Sequence, residues 1–278
     1  MEQEKYTVAS VLSIAGFDGS GGAGIQADTK TISALGCYAM NVLTALPVQN
    51  TQGVKKIYEI PAQAIRDQLE TIFEDITPTA IKIGMVHSTA LVELIADFLK
   101  DYNGPIVFDP VMVSTSGHRL IQQDTIQACV DHLFPLSTLI TPNLDEVAVL
   151  LNEKVDSLQK MRTAGTKLLE MHPKAVLVKG GHLPGTDLSS ILLYGDQEFQ
   201  FDTTKIETRN THGSGCTLSS AIASYLALKK DLKTAVGLSL DYVHQAILGS
   251  QHLSIGQGSG PLNHFHNPQK LIISHEMD

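Results

Sequence analysis

Asn210-Thr-His-Gly-Ser-Gly-Cys-Thr-Leu218 joins a polar, glycine-rich turn to an apolar-periodic run that continues to Leu228, and this junction reads as a helix N-terminus presented to an anion. The first amides of a helix have no intrahelical partner, the helix dipole adds positive potential there, and glycine lets a ligand approach the bare backbone. The amides of Gly213, Ser214, Gly215 and Cys216 therefore form a predicted phosphate cradle. A thiol on such a first turn is expected to have a lowered pKa, which places Cys216 to take a proton from an alcohol attacking the phosphate. The plainer reading of the same residues is a glycine-rich helix cap beside an inert cysteine.

Outward from this junction, short apolar runs alternate with segments of helical period, the pattern of βα units around a mainly parallel sheet. Strands are predicted at 8–14, 41–45, 80–84, 106–109, 138–141 and 175–179. A helix is predicted at 62–74, where Ile65, Leu69, Ile72 and Phe73 recur at helical spacing as one buried stripe. Between 188 and 206 the character changes to two apolar runs about a Gly-Asp turn, read as an antiparallel hairpin at the sheet edge. Two closing helices are expected at 216–228 and 232–248, with an irregular tail from Gly256. No internal repeat, charge block or linker interrupts the chain, so one domain over residues 1–278 is expected.

Composition narrows the function classes. The 278 residues are 43% hydrophobic with a net charge of −9. That is ample material for a core, and an acidic surface gains nothing from nucleic acid or an anionic membrane, so neither is an expected partner. Cys37, Cys129 and Cys216 are odd in number and far apart, which suggests neither a disulfide framework nor a zinc site and favours a reducing cytoplasm. The acidic Met-Glu-Gln-Glu-Lys start fits no signal or transit peptide, and no apolar stretch reaches the roughly 18 residues a membrane span needs. The 11 histidines form no metal-ligand motif.

Gly19-Ser-Gly-Gly-Ala-Gly24 matches the dinucleotide fingerprint of a Rossmann dehydrogenase, yet that mechanism needs an acid about 20 residues further on to hold a ribose hydroxyl. Residues 42–52 contain none. These glycines instead suit close backbone approach to a flat substrate, with Gly16, Ala23, Asp18 and Asp28 nearby; capping or pairing inside the helix is the alternative for Asp28. No G-x-x-x-x-G-K-[ST] occurs, so phosphate binding falls to the cradle. Phosphoryl transfer also needs a cation on the nucleotide phosphates, Mg²⁺ and an oriented acceptor hydroxyl. Asn143 and Glu146, three apart at a helix start after Thr141-Pro142, share one face. First-turn acids complementing the dipole are the other reading of Asp145 and Glu146. Asp109 closes the strand Ile106-Val-Phe, where open parallel sheets place functional groups.

In order and spacing, Ser13 to Asp28, Asp109-Pro-Val-Met112, Thr141-Pro-Asn-Leu-Asp-Glu146, Val178-Lys-Gly-Gly-His182 and the 210–218 run resemble the ribokinase-like superfamily. The likeness is greatest to the hydroxymethylpyrimidine/phosphomethylpyrimidine kinases of thiamin biosynthesis and runs from about residue 8 to His266. It implies an α/β, three-layer α-β-α sandwich with a mainly parallel sheet and an antiparallel edge. It implies ATP-dependent phosphorylation of a hydroxymethyl pyrimidine and then of its monophosphate, and a homodimer. Lys179 resembles the lysine that reaches nucleotide phosphates, with Asn143, Thr211 and Gly213 also expected at ATP. Asn143 and Glu146 match an element that helps hold Mg²⁺ largely through water, a shell that Asp109 shares. Gln49 in Val48-Gln-Asn-Thr resembles the glutamine that pairs with the aminopyrimidine, and Met85 and Val111 are expected at the ring faces, although either could serve the core. Residues 112–120 look like a flap over the site. The family typically has Ser-Gly-Asp where this chain has Ser116-Gly117-His118, leaving His118 and Arg119 as its cationic candidates. Phe17 and Ser214 stand where a small residue and Thr are usual. Alternatives are a pyridoxal or pyridoxine kinase of the same branch and a noncatalytic nucleotide or pyrimidine sensor.

Overall fold

Ser10–Ala15 is buried along its whole length, and such continuous burial belongs to a strand covered on both faces. The computed structural model describes residues 6–112, 121–181 and 187–275. In chain order the elements are β1 (Tyr6–Val8), β2 (Ser10–Ala15), α1 (Gly24–Ala34), β3 (Tyr38–Leu43), β4 (Ala45–Asn50), β5 (Gly53–Glu59), α2 (Ala62–Asp75), β6 (Ala80–Ile83), α3 (Thr89–Leu99) and β7 (Ile106–Phe108). There follow α4 (Gln123–Ala128), β8 (Leu139–Ile140), α5 (Leu144–Leu151), α6 (Leu158–Leu169), β9 (Ala175–Lys179), β10 (Asp187–Tyr194), β11 (Gln197–Thr204), α7 (Ser214–Ala227), α8 (Leu232–Leu248) and β12 (Ile273–His275).

Eight strands form the central sheet in the order β11-β10-β9-β8-β7-β6-β2-β3. From β9 to β3 the pairing is parallel, and the β10–β11 hairpin adds the antiparallel edge expected from the sequence. Strand alternation divides the core in two. Leu12, Ile14, Ile81 and Ile83 pack with Ile65 of α2, Ile95 of α3 and Leu168 of α6. Val11, Ala80, Val107 and Leu177 pack on the other face with Leu218 and Ile222 of α7, Ile32 of α1 and Val236 of α8. Helix α7 lies close to the sheet because its inward side is small: Ser219, Ser220, Ala221, Ala223 and Ser224 are all buried. The result is the three-layer α-β-α sandwich.

Several boundaries differ from expectation. The strand expected at 8–14 divides at Ala9: Tyr6–Val8 leaves the main sheet to pair antiparallel with Ile273–His275, so the tail is not wholly irregular. The strand expected at 41–45 is the end of β3 and the start of β4. Strand β4 pairs with β5 in a separate hairpin that periodicity does not announce, because its inward residues are Ala45, Pro47 and Gln49 while the apolar Leu46 and Val48 face outward. The stripe on α2 is graded, with Ile65 and Leu69 fully buried and Ile72 and Phe73 at its margin.

Candidate active site

The carboxyl ends of β2, β6, β7, β8 and β9 deliver Gly16, Met85, Asp109, Thr141 and Lys179 to one side of the sheet. Strand β2 has β3 on one flank and β6 on the other, so the chain changes direction there; open α/β sheets bind ligands in the crevice beside such a switch. Helix α7 points its N-terminus into the same region.

Gly213 is the N-cap of α7, and its φ of +82° is a left-handed value that suits glycine. A Cβ there would stand 1.8 Å from the carbonyl oxygen of Gly22, so the two glycine-rich loops meet backbone to backbone. The Ser214 amide donates to the Thr211 carbonyl at 3.2 Å, which takes it out of the expected cradle. The amides of Gly213, Gly215 and Cys216 donate no hydrogen bond among the described residues, and these three remain to meet an anion. A Cβ on Gly215 would lie 3.3 Å from Asp109 Oδ2 and 3.5 Å from Lys179 Nζ, so both side chains border the cradle.

Asp109 Oδ1 accepts from Lys179 Nζ at 2.8 Å and from Thr141 Oγ1 at 2.9 Å. Burial alone would raise the Asp109 carboxyl, but the ammonium groups of Lys179 and Lys82 and these hydrogen bonds hold it below the usual carboxylate range. Lys179 is correspondingly raised: burial disfavours its charge, and Asp109 and Glu146 restore it. Asn143 and Glu146 share a face as their spacing implied, but as a reciprocal capping box: Asn143 Oδ1 accepts from the amides of Asp145 and Glu146, and Glu146 Oε2 accepts from the Asn143 amide at 2.8 Å. Glu146 is buried, and burial with the neighbouring Asp109 carboxylate pushes its pKa up to about 8 against the pull of Lys179. Among the described residues, no three His, Cys, Asp or Glu side chains gather closely enough to hold a metal ion directly. Asp109 and Glu146 do fit a hydrated Mg²⁺, being hard oxygen donors whose mutual repulsion a cation would relieve.

Cys216 departs from expectation. Burial, reinforced by the carboxylates of Asp28 and Asp109, raises its pKa to about 11 in spite of Lys82 and the Gly24 amide. Burial and these carboxylates disfavour the thiolate and so oppose the lowering expected at a helix N-terminus. In the unliganded protein Cys216 is a thiol.

The acceptor side is built from the loop at 16–23, the start of α1 and the β4–β5 hairpin. A Cβ on Gly16 would come within 2.9 Å of Met85 Cε, so the two residues face the same space. Ala45, Pro47 and Gln49 alternate inward on β4, with a register shift between Val48 and Gln49, and Gln49 Nε2 donates to the Phe17 carbonyl at 3.4 Å. Val111 lies half-buried beyond Asp109, its amide bonded to the Asp109 carbonyl at 2.8 Å. Both carboxylates of residues 16–28 are occupied within the fold. Asp18 accepts from the amides of Ser20, Gly22 and Ala23, from Ser20 Oγ and from His212 Nε2. Asp28 accepts from Ser13 Oγ, Ser220 Oγ and Lys82 Nζ. The expected flap residues Ser116, Gly117, His118 and Arg119, and His182, lie outside the described residues.

Comparison with known proteins completes the picture. The profile described as phosphomethylpyrimidine kinase matches residues 18–263. The chain belongs to that family. A hydroxymethylpyrimidine/phosphomethylpyrimidine kinase of Rhizobium meliloti is 44% identical over 260 residues, which cover 93% of this chain and 97% of the relative. The crystal structure of a phosphomethylpyrimidine kinase from Clostridium difficile is 43% identical with a TM-score of 0.76, covering 86% of this chain and 99% of that one. A Bacillus subtilis pyridoxal kinase, solved as an ADP complex, is 32% identical with a TM-score of 0.85, over 93% of this chain and 98% of that one.

This phosphomethylpyrimidine kinase family member, an enzyme that uses ATP as phosphoryl donor, carries site residues that sequence reading passed over. Lys82 is the plainest. Its side chain and that of Asp28 are both 0% exposed and 2.8 Å apart. Burial opposes its charge, yet Asp28, Cys216 and Asp109 together raise its pKa. The signal was legible: a lone lysine in the apolar run Ala80-Ile-Lys-Ile is a poor strand residue unless an acid waits for it. Thr141, which holds Asp109, and Ser13 and Ser220, which hold Asp28, gave no such signal. His212 lies inside the quoted motif, but nothing in the sequence names its partner.

Proposed function

We propose that this chain transfers the γ-phosphoryl group of ATP to the hydroxymethyl oxygen of 4-amino-5-hydroxymethyl-2-methylpyrimidine, and then phosphorylates the monophosphate to the diphosphate. The observation that carries the reading is the set of unpartnered amides, Gly213, Gly215 and Cys216, with Asp109 and Lys179 against Gly215. Phosphoryl transfer passes through a loose transition state, so positioning and electrostatics supply most of the catalysis. In this reading the Gly213–Cys216 turn cradles the transferred group, and Lys179 leaves Asp109 to meet nucleotide phosphate. Thr211 and Asn143 border the nucleotide. Mg²⁺, held through water by Asp109, Asn143 and Glu146, would neutralise charge on the phosphates. Cys216 takes the acceptor's proton once it has lost its own.

Gly16, Ala23, Met85 and Val111 line the ring, and the Gln49 amide offers the donor and acceptor an aminopyrimidine edge requires. Asp18 acts on the acceptor through the loop it holds, and Asp28 through its ties from α1 to β2, β6 and α7. Gln49 also favours the pyrimidine over the pyridoxal reading, because a pyridoxal ring has no amino group for it to pair with. A cytoplasmic enzyme of one domain fits the reduced cysteines. No helix among the described residues is long and apolar enough to cross a membrane. A homodimer is supported by the outward face of the β4–β5 hairpin, where Leu46, Val48 and Tyr58 are exposed.

A coupled assay with MgATP and three separate acceptors tests the proposal. Turnover on the pyrimidine and on its monophosphate, each with kcat/KM above that on pyridoxal, is the expected outcome. Preference for pyridoxal would overturn the substrate assignment.

A further inference from the structure

Two loops must be held in register for this reaction. The 16–24 loop reaches the acceptor, the 211–216 turn reaches the phosphoryl group, and they lie almost 200 residues apart in sequence. Two side chains cross between them: Cys216, which lies against the Gly24 amide, and His212, which reaches the carboxylate of the acceptor loop. His212 Nε2 stands 2.9 Å from Asp18 Oδ2, with the histidine side chain 14% exposed and the aspartate 0%. Every other hydrogen bond to the Asp18 carboxylate comes from its own loop: the Ser20 amide and hydroxyl on Oδ1, the Gly22 and Ala23 amides on Oδ2. The carboxylate thus folds the loop around itself and offers its remaining bond to the phosphate turn.

The geometry points to His212 as a positioning residue for phosphoryl transfer: through Asp18 it sets the register of the acceptor loop against the N-terminus of α7. The inference rests on the kinase reading above. Burial would raise the Asp18 carboxyl, but the bonds from His212, Ser20 and Ala23 override it and hold it well below the usual range. Asp18 is therefore an acceptor only, and Nε2 is the donor. The backbones leave little slack around this bond. A Cβ on Gly22 would lie 2.5 Å from His212 Cδ2, and one on Gly213 would strike the Gly22 carbonyl. His212 is itself fixed from behind, its amide donating to the Gly260 carbonyl at 3.0 Å. Neighbouring glycines let the loops touch, but contact alone does not choose a register, and the directional bond does. In-line transfer needs the acceptor oxygen about 3–3.5 Å from phosphorus, and a displacement near 1 Å can cost about 10²-fold in rate.

Three substitutions test this. Glutamine places its amide nitrogen near the position of histidine Nε2, asparagine near Nδ1, and alanine offers no donor. Wild-type turnover on the pyrimidine is measured first, so that failure of the functional reading is seen before any variant is scored. His212→Gln is expected to keep kcat within about threefold, while His212→Asn and His212→Ala lose about 10- to 100-fold. Acceptor affinity by calorimetry is expected to change less than kcat does. ADP released by the impaired variants should exceed acceptor phosphorylated, because a misplaced hydroxyl yields to water. Equal losses in all three variants, wild-type kcat in His212→Ala, or a loss of acceptor affinity matching that of kcat would overturn the proposal. If His212→Ala does not fold, the glutamine and asparagine pair decides it alone.

Discussion

Lys179 Nζ lies 2.8 Å from Asp109 Oδ1, the two side chains 14% and 3% exposed. Strands β7 and β9 bring them together across β8, and Thr141 at the end of β8 donates to the same oxygen. In the unliganded protein each charge keeps the other in the site. In the proposed reaction nucleotide phosphate would compete for the lysine and a cation for the aspartate, so that binding would exchange one ion pair for two new ones. Truncation by Lys179→Met leaves Asp109 buried without its cation. Removing one partner of a buried pair costs about 3–5 kcal/mol, and losing a charge that stabilises the transition state costs about 10²–10³ in turnover. The variant is expected to melt lower and to show a fall of that order in kcat/KM for MgATP. Wild-type kinetics in Lys179→Met would remove the lysine from the reaction.

The raised pKa of Cys216 gives its proposed role as base a pH signature. With a pKa of about 11, only roughly one thiol in three thousand is ionised at pH 7.5, and each added pH unit multiplies that fraction about tenfold. A general base of this kind makes the chemical step rise with pH through 9 without a plateau. Alkylation by iodoacetamide should climb in parallel and be slowed by ATP with acceptor. Cys216→Ala is expected to lower kcat by about 10²–10⁴-fold. Single-turnover rates from pH 6.5 to 9.5 are the measurement. A flat profile would hand the proton to water.

Gly213→Ala is expected to cripple the enzyme through its backbone. The φ of +82° costs a residue with a Cβ about 1–3 kcal/mol, and the Gly22 carbonyl stands where that Cβ would go. Both the urea midpoint and kcat should fall. Gly195→Ala is the control, since its φ of +56° carries similar strain with open space around the position. A smaller midpoint loss at 213 than at 195 would contradict the close approach of the loops.

For Gln49→Met the expected effect is on specificity. A buried polar group left unpaired costs about 1–3 kcal/mol, and each 1.4 kcal/mol of differential binding is about tenfold in selectivity. The pyrimidine loses its amide partner, whereas pyridoxal meets an apolar contact it tolerates. Comparing kcat/KM for both acceptors in the two proteins measures the shift. Equal losses would reduce Gln49 to a support for the pocket, through its bond to the Phe17 carbonyl.

Local chemistry made much of this molecule legible in one dimension. The strand at 175–179, the helix at 232–248 and the edge hairpin depend on short-range periodicity and turn residues, and all three stand where expected. The helix after Gly213 was readable for the same reason, since glycine spacing and an apolar run are properties of adjacent residues. What periodicity could not supply was the partner of any polar side chain. The capping box of Asn143 and Glu146 is the exception, a local pairing of an N-cap with an acid three residues on; what the tertiary structure added there is the Asp109 and Lys179 charges beside Glu146.

Only the tertiary structure brought Lys82 to Asp28, Lys179 to Asp109 and His212 to Asp18, because each pair spans 54 to 194 residues of sequence. It also reversed the expected acidity of Cys216. A thiol's pKa is set by the dielectric and the charges around it, and no feature of the residues adjoining Cys216 reveals that two carboxylates from α1 and β7 are folded in beside it. The sequence alone settled most strands of the main sheet and the glycine-rich turn proposed as a phosphate cradle, whereas the β1–β12 and β4–β5 pairings came only with the fold. The charge on each group in that cradle was settled by what the fold packs around it.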